Sequence, residues 1–200
     1  RPDLEAFAKL HNLKIGTIRD LIRYRLREER SVERISECDV QTEFGEFRLY
    51  CYQDHVHRDV HLALVHGHID GPELPLVRVH LADTLRDLLG VRAESRAWTL
   101  RAAMQRIAQS PGGVLVVLRE SDSPRALVDA VTGLDGLPEG TRSHEGHDKA
   151  HSEVLRTYGI GAQILKDLGL RRMRVLSAPK QLQGLSAFDL EVAEYVGEES

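Results

Sequence analysis

Cysteine is scarce: Cys38 and Cys51 are the only two in 200 residues. Two thiols build neither a disulfide framework nor a cysteine-rich zinc site, so the expectation is a cytoplasmic protein kept in reducing conditions. Positive charge is not in excess either. The 27 Lys+Arg stand against 31 Asp+Glu, a net charge of −4, which argues against a partner gripped through nucleic-acid phosphates. No apolar stretch approaches the roughly 18 residues of a membrane span, and no signal-like start is visible, so no membrane partner is expected. What remains is ordinary globular composition, 42% hydrophobic and 29% charged, which excludes a disordered chain. The length allows one domain with a full core, or one domain plus a piece of another. The chain begins Arg1-Pro2, without methionine, which reads as a fragment or a trimmed chain.

The first thirty residues carry helical spacing. Leu4, Phe7 and Ala8 form one apolar face, ended by His11-Asn12, and Ile18, Leu21, Ile22 and Leu26 form a second stripe after a capping-box-like Thr17-Ile18-Arg19-Asp20. From Val32 the period becomes two. Phe47, Leu49 and Cys51 alternate with Arg48, Tyr50 and Tyr52 behind the turn Glu43-Phe44-Gly45-Glu46, a hairpin pattern. Further strands are expected at His61–Val65 and Leu76–Val79, with Gly71-Pro72 between them. Helical patterns follow around 83–89 and 97–109. Val114 to Leu118 is a continuous apolar run suited to a buried strand. A helix near 124–131, a glycine-rich loop over 132–148, a helix over 149–168 broken at Gly159 and Gly161 and stopped at Gly169, and strands at Met173–Leu176 and Leu190–Val196 complete the chain. An antiparallel start followed by strand–helix alternation predicts a mixed α/β (α+β) domain.

Several strings resemble the GTP cyclohydrolase II family. Thr42-Glu43-Phe44-Gly45-Glu46-Phe47-Arg48, His61-Leu62-Ala63-Leu64-Val65, Val77-Arg78-Val79-His80 and Tyr158-Gly159-Ile160-Gly161-Ala162-Gln163-Ile164-Leu165 occur in that family's order, and the ending Leu185 to Val196 is similar too. Asp3-Leu4-Glu5-Ala6-Phe7-Ala8-Lys9, Leu13-Lys14-Ile15-Gly16-Thr17-Ile18 and Asp20-Leu21-Ile22 resemble the C-terminal end of 3,4-dihydroxy-2-butanone 4-phosphate synthase. The two enzymes are often fused in riboflavin biosynthesis, synthase first. The resemblance therefore implies two parts: residues 1–36 as tail helices and linker of a synthase, and residues 37–200 as a GTP cyclohydrolase II-like domain. It also implies a homodimer, and magnesium only for the upstream synthase part.

Opening a guanine ring needs an activated water. Members of the family hold zinc with three cysteines, and the open fourth position lowers the pKa of bound water to about 7. Counted without gaps from Arg78-Val79-His80, those three positions fall on Asp83, Glu94 and Arg96, with Asp87 and Leu100 on their family counterparts. Arg96 brings a positive charge where a ligand should sit, so the resemblance implies a site without zinc. An ion pair of Arg96 with Asp83 or Glu94 is expected to take over the cross-link. The family's phosphate string becomes Arg119-Glu120-Ser121-Asp122-Ser123, keeping the first arginine only. Its nucleophilic arginine matches Arg156, while its proton acceptor is replaced by Val154. Arg78, Arg119, Ser177 and Lys180 remain as nucleotide-binding remnants. Loss of metal and base together implies a domain that keeps the fold and has lost the chemistry.

Other constellations stay open at this stage. Among ten histidines, His144, His147 and His151 cluster, and the i, i+4 spacing of the last two suits either a shared metal or a polar loop meeting a helix. His55, His57, His66 and His68 read as loop and strand-end histidines. The leading expectation is a structural, dimerising or regulatory domain. The alternatives are a hydrolase with an altered metal site, or a module that binds GTP or a flavin as an effector.

Overall fold

The protein is described by a computed structural model covering residues 2–17, 24, 31–56, 58–91, 98–119, 124–134, 159–178 and 188–197. The chain divides into two compact units, residues 1–30 and 31–200. In the first, helix α1 (Pro2–Leu10) opens with Asp3 and Glu5 and closes near Lys9, charges that suit the two ends of the helix dipole. Asn12 then takes a left-handed backbone, φ 50°, and Leu13 N donates to Ala8 O at 2.8 Å, ending the helix where His11-Asn12 was expected to.

The second unit is built on one mixed sheet of seven strands in the order β1-β2-β3-β5-β4-β6-β7. The strands are β1 (Val32–Thr42), β2 (Gly45–Asp54), β3 (Val60–Gly67), β4 (Leu76–Leu81), β5 (Gly112–Leu118), β6 (Arg172–Leu176) and β7 (Glu191–Val196). Neighbours from β1 to β5 pair antiparallel, and β5, β4, β6 and β7 run parallel. This is the mixed α/β fold the alternation predicted. The apolar run of β5 is buried along its whole length, as expected of a strand covered on both faces. β1 is an outer strand, largely exposed, with a bulge at Ile35 between Arg34 and Ser36.

One face of the sheet packs on helix α2 (Leu100–Ala108). Thr99 caps it, its hydroxyl oxygen accepting from Ala102 N at 3.1 Å, and the i, i+4 pair Ala103 and Ile107 is fully buried against Phe47, Leu76, Leu115 and Leu176. Helix α3 (Pro124–Leu134) follows β5. Helix α4, described over 159–167, lies on the opposite face. There the sequence suggested a break at Gly159 and Gly161, yet these residues are helical. A Cβ at Gly161 would stand 3.1 Å from Val79 Cγ1 and 3.8 Å from Leu118 Cδ1, so the glycine serves close packing on β4 and β5. Gly169, φ +89°, ends α4: Leu170 N reaches back to Leu165 O at 3.1 Å in the geometry that a left-handed residue permits. Among the described residues no helix is long and apolar enough to cross a membrane.

Candidate functional site

Parallel strands end on one side of the sheet, and ligand crevices in such sheets open beyond those C-terminal ends. Here a cleft of about 380 Å³ opens beyond β4, walled by Arg78, His80, the turn after Leu81, Trp98, and Leu127 and Ala130 of α3. Arg119 follows β5 and Ser177 follows β6, the two strands that flank β4. The fold thus brings Asp83, Arg119 and Ser177 to the same end of three neighbouring strands, with Arg78 inside β4 on the wall of the cleft.

Asp83 begins a turn that is π-helical over Thr84–Leu88, a rare local winding that often marks functional segments. Its Oδ1 accepts from Leu85 N and Arg86 N, each at 3.0 Å, so the carboxylate caps the turn. Its own N–H donates to Asp87 Oδ2 at 2.9 Å. The same Asp87 oxygen meets His80 Nε2 at 2.8 Å, with both side chains nearly buried. With Asp87 ionised, Nε2 carries the proton, and Nδ1 is a buried acceptor without a partner among the described residues. Arg78 donates from Nη1 to Leu176 O at 2.9 Å and from Nη2 to Trp98 O at 3.3 Å, and Trp98 Nε1 donates to Val196 O at 3.0 Å. These bonds tie β4, β6, β7 and the Trp98 segment together behind the cleft. Arg119, just past β5, is exposed, while its N–H donates to Nδ1 of buried His61 at 3.1 Å, which fixes that nitrogen as unprotonated. Ser177 Oγ donates to Ala178 O at 2.9 Å.

Glu94, Arg96, Val154, Arg156, Lys180, His57 and the histidines at 144, 147 and 151 lie outside the described residues. His55 Nε2 meets Glu33 Oε2 at 2.9 Å on the surface, and His66 Nδ1 donates to Glu46 O at 3.0 Å. Cys38 and Cys51 sit on β1 and β2, on the other arm of the sheet from the cleft. The cleft walls contributed by Trp98, Leu127 and Ala130 had no warning in the sequence, because only the tertiary fold carries α3 and the residue before the α2 cap to the end of β4.

Of the three positions at which members of the family hold zinc, Asp83 alone lies among the described residues. The one described residue at a zinc position is a hard carboxylate whose Oδ1 is already engaged by two backbone N–H groups, where the family offers a soft thiolate. The Nε2 of His80, on the strand that leads into this turn, is turned to Asp87. Among the described residues no group of three or more His, Cys, Asp or Glu side chains gathers in a way that could hold a metal ion.

Comparison with known proteins agrees with the strings that first suggested the family. The 3,4-dihydroxy-2-butanone 4-phosphate synthase of Pseudomonas aeruginosa is 47% identical over 196 residues, 98% of this chain and 52% of that protein. The riboflavin biosynthesis protein RibBA of Bacillus cereus is 38% identical over 98% of this chain and 50% of its own length. Among solved structures, RibBX of A. baumannii, a two-domain 3,4-dihydroxy-2-butanone 4-phosphate synthase, superposes with a TM-score of 0.66 at 37% identity, covering 99% of this chain and 50% of that one. The chain spans about half the length of these relatives. The GTP cyclohydrolase II profile itself matches residues 33–197, which takes in every strand of the sheet but the first residue of β1, and it is to the GTP cyclohydrolase II family that this chain belongs.

Proposed function

We propose that this chain is the C-terminal part of a riboflavin-biosynthesis protein in which a GTP cyclohydrolase II domain is fused behind 3,4-dihydroxy-2-butanone 4-phosphate synthase. In this reading the domain has lost the cyclohydrolase reaction and serves a structural, dimerising or regulatory role. The carrying observation is Asp83. The side chain at the first zinc position is used as a backbone cap, so the turn that would present a metal ligand is held by the protein itself. Replacement of the family's proton acceptor by Val154 removes a general base, a loss of about 10²–10⁴-fold on its own. Relatives named for the synthase alone, from Pseudomonas aeruginosa and Pseudomonas syringae, are 47% and 44% identical, against 38% for the RibBA of Bacillus cereus, which also supports the reading.

In this proposal the domain takes no zinc, magnesium belongs to the synthase part, the protein is a cytoplasmic homodimer, and neither nucleic acid nor membrane is a partner. The test is direct. Purified chain supplied with zinc and GTP is expected to show no turnover and no stoichiometric metal by elemental analysis. Turnover with bound zinc would overturn the proposal in favour of a hydrolase with a rebuilt site. The retained cleft, with Arg78 and Arg86 in its walls, supports a second reading: an effector site for a nucleotide or flavin, with Arg119, Arg156 and Lys180 as further contacts. Calorimetry with GTP, riboflavin and FMN decides it, binding without turnover being the expected sign.

A further inference from the structure

The chain enters the second unit at Ser31, and its first residues are fastened to one helix. Ser31 N and Ser31 Oγ both donate to Gln163 Oε1, at 2.9 and 3.2 Å. Three residues on, Arg34 donates to Asp167 Oδ2 from Nε at 3.1 Å and from Nη2 at 2.7 Å, and to Asp167 O at 3.3 Å. Tyr52 OH donates to the same Asp167 oxygen at 2.8 Å, and the Arg34 guanidinium lies over the Tyr50 ring at 4.7 Å. Gln163 and Asp167 are an i, i+4 pair, so two fastenings fall on one face of α4, one turn apart.

The other side of α4 packs on β4 and β5, the strands whose ends lead into the cleft. Gly161, two residues before Gln163 and so on the opposite side of the helix, comes close to Val79 and Leu118, and these are the residues just before His80 on β4 and Arg119 on β5. A continuous line of contact therefore runs from Ser31 through α4 to Val79 of β4, the neighbour in sequence of cleft-lining His80. Close-packed interiors transmit displacement along such lines because they have little free volume to absorb it.

We propose that residues Ser31–Arg34 are a strap that couples the chain segment leading into the domain to the cleft through helix α4. With the strap fastened, a pull or turn of that segment moves α4 and reshapes the ends of β4 and β5; conversely, occupation of the cleft is felt at residue 31. This rests on the regulatory reading proposed above and gives it a route. The strap is built from exposed and half-exposed bonds, which individually contribute little, so it can open without unfolding the sheet.

Trp98 is the only tryptophan of the chain and lines the cleft, which makes it a reporter. The test combines acrylamide quenching of Trp98 with amide hydrogen exchange in the 200-residue chain, comparing wild type with the double variant Gln163→Leu/Asp167→Asn. The expected result is exchange faster by about two- to five-fold at residues 31–36, at 159–168, at 79–82 and at 118–119, with easier quenching of Trp98 and unchanged exchange in β3. Ser31→Pro is the second variant, in case the first fails to fold. It removes both Ser31 donors, leaves the Ser31 carbonyl that accepts from His55 N, and touches neither α4 nor the core. The same pattern is expected from it. Faster exchange confined to 31–36, with α4, residues 79–82 and Trp98 unmoved in the variants that fold, would overturn the strap. Zinc-dependent turnover of GTP would instead overturn the function proposed above, so the two failures are told apart.

Discussion

The antiparallel arm of the sheet, β1 to β3, and the parallel arm, β5-β4-β6-β7, are held in different ways. On the antiparallel arm much of the surface faces water, and charged side chains bridge the strands: Arg48 meets Glu37 at 2.7 Å and Asp39 at 3.0 Å, and holds the Glu37 carboxyl below its usual range. At the centre of the parallel arm, β4 and β5 are buried between α2 and α4, and apolar packing does the holding. The cleft lies at the end of the parallel arm. The difference teaches that the functional end of this fold is inseparable from its core, whereas the exposed arm can be altered at the surface with little cost to the rest.

The sharpest way to break the comparison is through the core that joins the arms. Ile107→Ala, at a fully buried position on α2, is expected to cost about 2–5 kcal/mol in urea unfolding. If the arms are one cooperative unit, Trp98 fluorescence and far-UV circular dichroism will lose signal at one shared midpoint; separate midpoints would show that the arms unfold independently. Gly113→Ala comes next. Its Cβ would stand 2.5 Å from Leu76 O and 3.0 Å from Ile107 Cγ2, so β4 and β5 must part, at about 1–3 kcal/mol in the same measurement.

Asp83→Ala removes the cap at the mouth of the cleft and is expected to cost about 1 kcal/mol, with no change in bound metal by elemental analysis. A loss of metal on that substitution would show Asp83 to be a ligand after all.

Tyr52 tests the exposed arm through pH. Burial, with the Asp167 carboxylate adding to it, raises the pKa of its hydroxyl above the ordinary tyrosine value of about 10. A raised folded-state value gives stability that is fully present below the unfolded value and is lost as pH climbs past it. Wild-type melting temperature should therefore fall above about pH 10, and Tyr52→Phe should show a shallower fall there, with about 1 kcal/mol lost at neutral pH from the missing bond to Asp167. Equal alkaline slopes would contradict the assignment. The smallest effect belongs to Arg101→Ala, which breaks an exposed bidentate pair with Glu43 in the β1–β2 turn and is expected to change stability by roughly a few tenths of a kcal/mol.

The strands were legible because their signals are local. The apolar run from Val114 to Leu118, the alternation around Phe47, and the glycine that stops α4 each announce an element within a few residues. Gly159 and Gly161 misled because glycine is a poor helix former in isolation, and the close approach to Val79 that favours it lies some eighty residues away in the sequence. The family strings pointed to Arg78, Asp83, Arg119 and Ser177, and the fold places the last three just past the ends of β4, β5 and β6, with Arg78 within β4. What those side chains do there was not readable. Asp83 turning back on its own N–H groups, Arg78 holding the carbonyls of Leu176 and Trp98, and Leu127 closing the wall all depend on packing between distant segments.

The outer position of β1 has a consequence for how the chain behaves while it is being made. An eleven-residue strand at the margin of a sheet offers a row of main-chain donors and acceptors on which a strand from another chain could grow. Glu33, Glu37 and Asp39 place negative charge along that row, and the bulge at Ile35 interrupts its regular spacing. Crowded nascent chains therefore meet a margin that repels its own copies, and the acids of β1 guard against aggregation as well as pairing with Arg34, Arg48 and His55 beside them.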